Sequence, residues 1–129
     1  MGAKKRILII TDGTDSIKAI AESIALCLKG NKVKICSAES FTGTDLLPAH
    51  VFFLGCETPN SDSFKYLSQL LDHINLAGRR CGVFSTSGKA IKYLSGMVKS
   101  SEAALGEPLL AGDGALKQAD VKKWLKGIL

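Results

Sequence analysis

The stretch RILIITDGTDSIKAIAESIALC, residues 6–27, decides the fold. Its opening, Arg6-Ile7-Leu8-Ile9-Ile10-Thr11, is an unbroken aliphatic run, the composition of a strand buried on both faces. Asp12-Gly13-Thr14-Asp15 then supplies short polar residues and a glycine, which mark a turn. From there Ile17, Ile20, Ala21, Ile24 and Leu28 recur at helical spacing as one apolar stripe. A buried strand, a polar turn and an amphipathic helix in succession open a βαβ unit, and hence a parallel sheet.

The same alternation continues outward. Gly30-Asn31 closes the first helix, and Lys32-Val33-Lys34-Ile35-Cys36 alternates like a strand at a sheet edge. Ser37 to Pro48 is a connector with room for one short helix. Val51-Phe52-Phe53-Leu54 is a buried strand ended by Gly55, and Phe64, Leu67, Leu70, Leu71 and Ile74 form a second helical stripe. Cys81-Gly82-Val83-Phe84 is a fourth strand. Ile91, Leu94, Met97, Val98, Ser101 and Leu105 trace a long helix closed by Gly106. Leu109-Leu110 is a short fifth strand, and Val121, Trp124, Leu125 and Ile128 mark the last helix. Five strands and four helices result, with right-handed crossovers placing helices on both faces.

At 129 residues the chain is expected to form one domain, residues 1–129. The basic start, Met1 to Arg6, has too short an apolar run for a signal peptide, and no stretch approaches the roughly 20 apolar residues of a membrane span. A cytoplasmic protein with no membrane contact is expected. Cys27, Cys36, Cys56 and Cys81 lie far apart without a Cys-x-x-Cys pair, which favours buried free thiols over metal or disulfide roles. The net charge of +5 comes from scattered lysines, mildly clustered at Lys117, Lys122, Lys123 and Lys126. Nucleic-acid binding needs a denser basic face with interleaved aromatics. Nothing in the sequence sets an oligomeric state.

Ligands of open parallel sheets sit beyond the strand carboxyl ends. That places the candidate site in three loops: Thr11, Asp12, Gly13, Thr14, Asp15 and Ser16, with Lys18 one turn on; Cys56, Glu57, Thr58, Pro59 and Asn60; and Ser85, Thr86, Ser87 and Gly88. His50 and His73 fall away from them, so no imidazole is placed to activate a Ser or Cys nucleophile, and no catalytic side chain is assigned. A phosphate-accepting receiver domain would need an Asp ending the third strand, where Gly55-Cys56-Glu57 stands.

These loops carry a resemblance. KRILIITDGTDSIKAIAESIA looks like the first strand, phosphate loop and first helix of the flavodoxins; VFFLGCETPNSDSF and CGVFSTSG are similar to the strands and loops that cover the two faces of the flavin; ADVKKWLKGIL looks like the C-terminal helix. The resemblance implies a flavodoxin-like three-layer sandwich, a five-stranded parallel sheet of order 2-1-3-4-5, and flavin mononucleotide (FMN) as cofactor. The family's phosphate pattern, Ser/Thr-x-Thr-Gly-x-Thr, is laid here on Gly13 to Lys18, with Thr14, Ser16 and Lys18 holding the phosphate. Asp15 departs from the pattern: a carboxylate about 5 Å from a phosphate charge costs roughly 3 kcal/mol at an effective dielectric near 20 and under 1 in water. Thr14 or Asp15 is also expected to cap the first helix. Neither ring loop offers an aromatic side chain, although backbone N–H groups of a Thr-Ser-Gly loop can bond a ring edge. The functional expectation is an FMN-associated redox protein working with a redox partner protein. The alternative is a flavin-free interaction module on the same scaffold, favoured by the altered phosphate loop and the basic charge balance.

Overall fold

The computed structural model describes residues 6–40, 46, 48–59, 62–111 and 117–128. Strand β1 (Arg6–Thr11) is an interior strand of the sheet, one in from its edge. It pairs in parallel with β2 (Lys32–Ser37) on one side and β3 (Val51–Gly55) on the other, and β3 pairs in parallel with β4 (Arg80–Ser85). The far edge of β4 carries two short parallel segments, β5 (Ala104–Leu105) and β6 (Leu109–Leu110). The order is therefore β2-β1-β3-β4-β5, with β6 beside β4, as the resemblance implies. The edge position of β2 is also as expected: Lys32, Lys34 and Ile35 are exposed, the lysines discouraging pairing with another chain.

Four helices are described: α1 (Asp15–Cys27), α2 (Lys65–Asp72, entered through a single turn of tight helix at Asp62–Phe64), α3 (Gly88–Ser100) and α4 (Gln118–Lys126). Successive residues of each inner strand point to opposite faces. Ile7, Ile9, Val51, Phe53 and Phe84 therefore pack under the stripes of α1 and α4, while Leu8, Ile10, Phe52, Leu54 and Val83 pack under α2 and α3. Three layers follow directly from this alternation. Half of the connector expected to hold a short helix, residues 41–45 and 47, lies outside the described residues.

Two sequence expectations change. The helix traced through Leu105 stops at Ser100. Ser101 turns its hydroxyl back onto the Val98 carbonyl at 2.7 Å, and Glu102 reverses the chain at a left-handed φ of 64°. Ala104 and Gly106 then donate to the carbonyls of Arg79 and Cys81, at 2.8 and 3.0 Å. Pairing with the open edge of β4 thus overrides the helical spacing of Leu105. As a consequence the fifth strand position is shared by β5 and β6, split at Gly106-Glu107-Pro108. The indole Nε1–H of Trp124 donates to the Glu107 carbonyl at 2.5 Å and holds this break against α4. The second change concerns the cysteines: Cys56 and Cys81 are buried, but Cys27 and Cys36 are only half-buried, and all four are free.

Glycine is required where β4 passes under α4. A Cβ on Gly82 would fall between the Phe53 ring and the Ile128 side chain, at contact distances below 3 Å from both. Both neighbours are buried, so neither can yield without disturbing the core. Gly82→Ala is expected to lower stability by about 1–3 kcal/mol through overpacking, measured as a shift of the urea midpoint at unchanged slope.

Candidate functional site

The loop between β1 and α1 is short, Asp12–Thr14, and it folds on its own side chains. Gly13 takes a φ of 82°, where glycine meets no Cβ penalty, and the chain doubles back so that Thr14 lies over Asp12. Oδ1 of Asp12 accepts both the Thr14 N–H at 3.0 Å and the Thr14 hydroxyl at 2.6 Å. The Gly13 N–H donates to the buried Thr11 hydroxyl at 3.2 Å. Oδ2 of Asp12 reaches across the cleft and accepts the Glu57 N–H at 2.7 Å. One carboxylate therefore holds the β1 loop closed and ties it to the β3 loop. Bonds to an ionised acceptor are the stronger kind, roughly twice a neutral pair.

A second tie joins the β3 and β4 loops. The fully buried Ser85 hydroxyl donates to the Cys56 carbonyl at 2.5 Å and accepts the Ser87 N–H at 3.0 Å. Ser87 in turn caps α3, its hydroxyl accepting the Ala90 N–H at 3.4 Å. Two hydrogen-bonded sets thus meet at the carboxyl end of the sheet, Thr14–Asp12–Glu57 and Cys56–Ser85–Ser87. The roles of the candidate residues divide by depth. Thr11, Cys56 and Ser85 are buried beneath the loops, whereas Gly13, Asp15, Ser16, Lys18, Glu57, Thr58, Thr86 and Gly88 are exposed. Asp12, Thr14, Pro59 and Ser87 are half-buried between them. Asn60 lies outside the described residues.

The expected cap on α1 takes a different form. Thr14 occupies the cap position, but its side chain makes no capping bond; its hydroxyl is oriented toward Asp12 instead. The amides of the first turn are left without a side-chain acceptor at Thr14. This role of Asp12 was not read from the sequence, although a signal existed. An Asp two residues before a Thr, with Gly between, matches the turn in which a carboxylate accepts the backbone N–H two residues on.

Cys56 sits under the clamp. Burial, and secondarily the Asp12 carboxylate, push its thiol from 9.0 up to about 12. Tyr93, on α3, is raised by burial and by Cys56, against a hydrogen bond from Ser68 that favours ionisation. His50 lies at the opposite end of the sheet, its Nδ1 accepting the Arg6 N–H at 3.1 Å, and His73 is exposed at the end of α2. Two open hollows of the described surface also lie away from the loops. One of about 290 Å³ lies at the amino ends of β1 and β2, and one of about 450 Å³ lies between α1 and α4. The chemistry-bearing side chains decide the site here, because neither hollow is bordered by the three loops.

A raised pKa keeps Cys56 a neutral thiol below the pH range of its titration, near 12. In the native chain at pH 8, Cys56 and Cys81 are expected to stay silent to an aromatic disulfide reagent while Cys27 and Cys36 react, and all four should react once unfolded. Rapid labelling of native Cys56 would contradict the buried, clamped geometry.

No family model matches the sequence, and no curated protein matches it. Solved structures do. A flavodoxin from Streptococcus pneumoniae superimposes with a TM-score of 0.77 at 18% identity, over 95% of each chain. Oxidised Flavodoxin 2 from Bacillus cereus gives 0.78 at 18% identity, over 97% of each. A Fusobacterium nucleatum flavodoxin variant bound to flavin mononucleotide gives 0.71 at 12% identity, over 96% of this chain and 95% of the other. No described helix is long and apolar enough to cross a membrane. With strand order, layers and near end-to-end superposition in agreement, the fold of this chain is that of a flavodoxin-like α/β sandwich.

Proposed function

We propose that the chain is an FMN-associated electron-transfer module that exchanges electrons with a redox partner protein. The observation that carries this reading is the convergence of the β1, β3 and β4 loops on one end of a fold shared almost end to end with flavodoxins, one of which holds FMN. The four free cysteines suit the reducing cytoplasm.

The donor set fits an oxyanion. The Thr14 N–H and hydroxyl already donate to one, the Asp12 carboxylate. The first turn of α1 carries no side-chain cap, so its amides and the positive end of its dipole favour a phosphate. The phosphate position lies on Gly13 to Lys18, with Thr14 contributing its N–H and hydroxyl. Ser16 and Lys18, both exposed, add a hydroxyl and a cation. Glu57, Thr58 and Pro59 line one side of the ring position, and Thr86, Ser87 and Gly88 the other. Bound flavin supplies the electron store. The protein's part is to bind, orient and shield it, with Cys56 kept a neutral thiol beneath and no side chain needed as acid or base.

Titration of the purified apo-chain with FMN, followed by quenching of flavin fluorescence and the visible spectrum, tests the reading. Saturable binding at micromolar levels, with absorbance that bleaches on reduction and returns in air, is the expected result. Asp15→Ser should tighten FMN several-fold by removing a screened negative charge beside the phosphate position. No binding up to millimolar FMN would overturn the electron-transfer reading.

A further inference from the structure

The geometry points to Asp12 as the residue that governs how this site answers a phosphate: its carboxylate is a built-in occupant of the β1 loop, and a phosphate-bearing flavin must displace it to bind. The inference rests on the flavin reading above and goes past it by naming what opposes the cofactor. Three donors are engaged by this one side chain, the Thr14 N–H, the Thr14 hydroxyl and the Glu57 N–H. The first two belong to the loop that would receive the phosphate. The Gly13 N–H is similarly engaged, by Thr11. An incoming phosphate therefore meets donors already satisfied and a negative charge in the place it would take, and each opposes it.

The position of the third donor adds a consequence. Glu57 lies on the β3 loop, 45 residues away in sequence, and its N–H is held by the same carboxylate. Turning Asp12 away from Thr14 also slackens its hold on Glu57, so phosphate capture and release of the β3 loop become one event. Below the loops, the Ser85 tie to the Cys56 carbonyl is independent of Asp12. It keeps the base of the β3 loop fixed while its outer part, from Glu57 onward, is freed. A flavin without a phosphate makes no demand on the clamp. Asp12 thus discriminates between phosphorylated and unphosphorylated forms of one ring system.

The test compares the full-length chain with its Asp12→Asn variant, each titrated with FMN and with riboflavin. Asparagine keeps the size and one acceptor oxygen but removes the charge. The ratio of FMN affinity to riboflavin affinity is expected to rise about tenfold in the variant, in keeping with loss of a charge-assisted competitor. FMN binding seen only in the variant would uphold Asp12 as the group that opposes the phosphate, while overturning the electron-transfer reading of the wild-type chain. Flavin binding with an unchanged ratio would overturn it while leaving the flavin reading intact. If neither flavin binds either protein, both readings fall. Should the variant not fold, amide signals of the isotopically labelled wild-type chain decide: displacement moves Thr14 and Glu57 on adding FMN and leaves Thr14 in place on adding riboflavin. A Thr14 signal that stays put while FMN binds would overturn the inference.

Discussion

Four consecutive aliphatic side chains, Ile7 to Ile10, are buried to within 2% of complete exclusion, alternately on the two faces of the sheet. Their burial is worth roughly 6–12 kcal/mol, comparable with the whole net stability of a domain this size. That requirement fixes much else. A strand apolar on both faces needs a helix layer above and below, and it needs neighbours on both edges, here β2 and β3. Parallel neighbours then require crossovers, which send every intervening helix back to the amino end of the sheet. The loops after β1, β3 and β4 must consequently meet at the carboxyl end, whatever residues they contain.

The residues they contain decide whether that meeting is a rigid platform or a loose cleft. Two side chains give rigidity, and they differ in kind. Ser85 is buried and neutral, and it joins the β3 and β4 loops through one short bond to a carbonyl and one from an amide. Asp12 is half-buried and charged, and it joins the β1 and β3 loops. A buried neutral tie has no competitor, since water cannot reach it. A half-exposed carboxylate competes with water and with any other anion for the same donors. The platform is therefore firm on its β4 side and exchangeable on its β1 side.

How much of this was legible in the sequence follows from the range of each interaction. The strands and most helices were, because their signal is the local spacing of apolar residues: Ile17 to Leu28 for α1, Phe64 to Ile74 for α2. The position of the site was legible too, since it depends only on which strand ends lie together. The end of α3 was not. Ser101 and Leu105 keep helical spacing, and only the unpaired edge of β4, distant in sequence, draws Ala104 and Leu105 into the sheet. A two-residue strand has no periodicity to read. Asp12 was half legible. It lies within the expected loop, but Asp-Gly-Thr-Asp fits a helix cap at Thr14 or Asp15 as readily as the turn that joins Asp12 to Thr14. Its bond to Glu57 spans the sheet and leaves no local mark at all.

The two helices that begin at this platform show what the clamp does to the local field. Helix α3 starts at Ser87, whose hydroxyl takes an amide of the first turn, so part of its need for an acceptor is met internally. Helix α1 starts at Thr14, whose hydroxyl is turned away to Asp12. The carboxylate thus does two opposed things. It adds negative charge beside the β1 loop, which repels an anion. It also holds the Thr14 hydroxyl in an orientation that makes no cap bond, which leaves that helix's amides without a side-chain acceptor there. An anion arriving there gains from the second effect only as far as it overcomes the first. Ligand affinity at this end of the sheet accordingly turns on the orientation of a single carboxylate, and the glycine at position 13, whose left-handed backbone brings Thr14 over it, is what makes that orientation available.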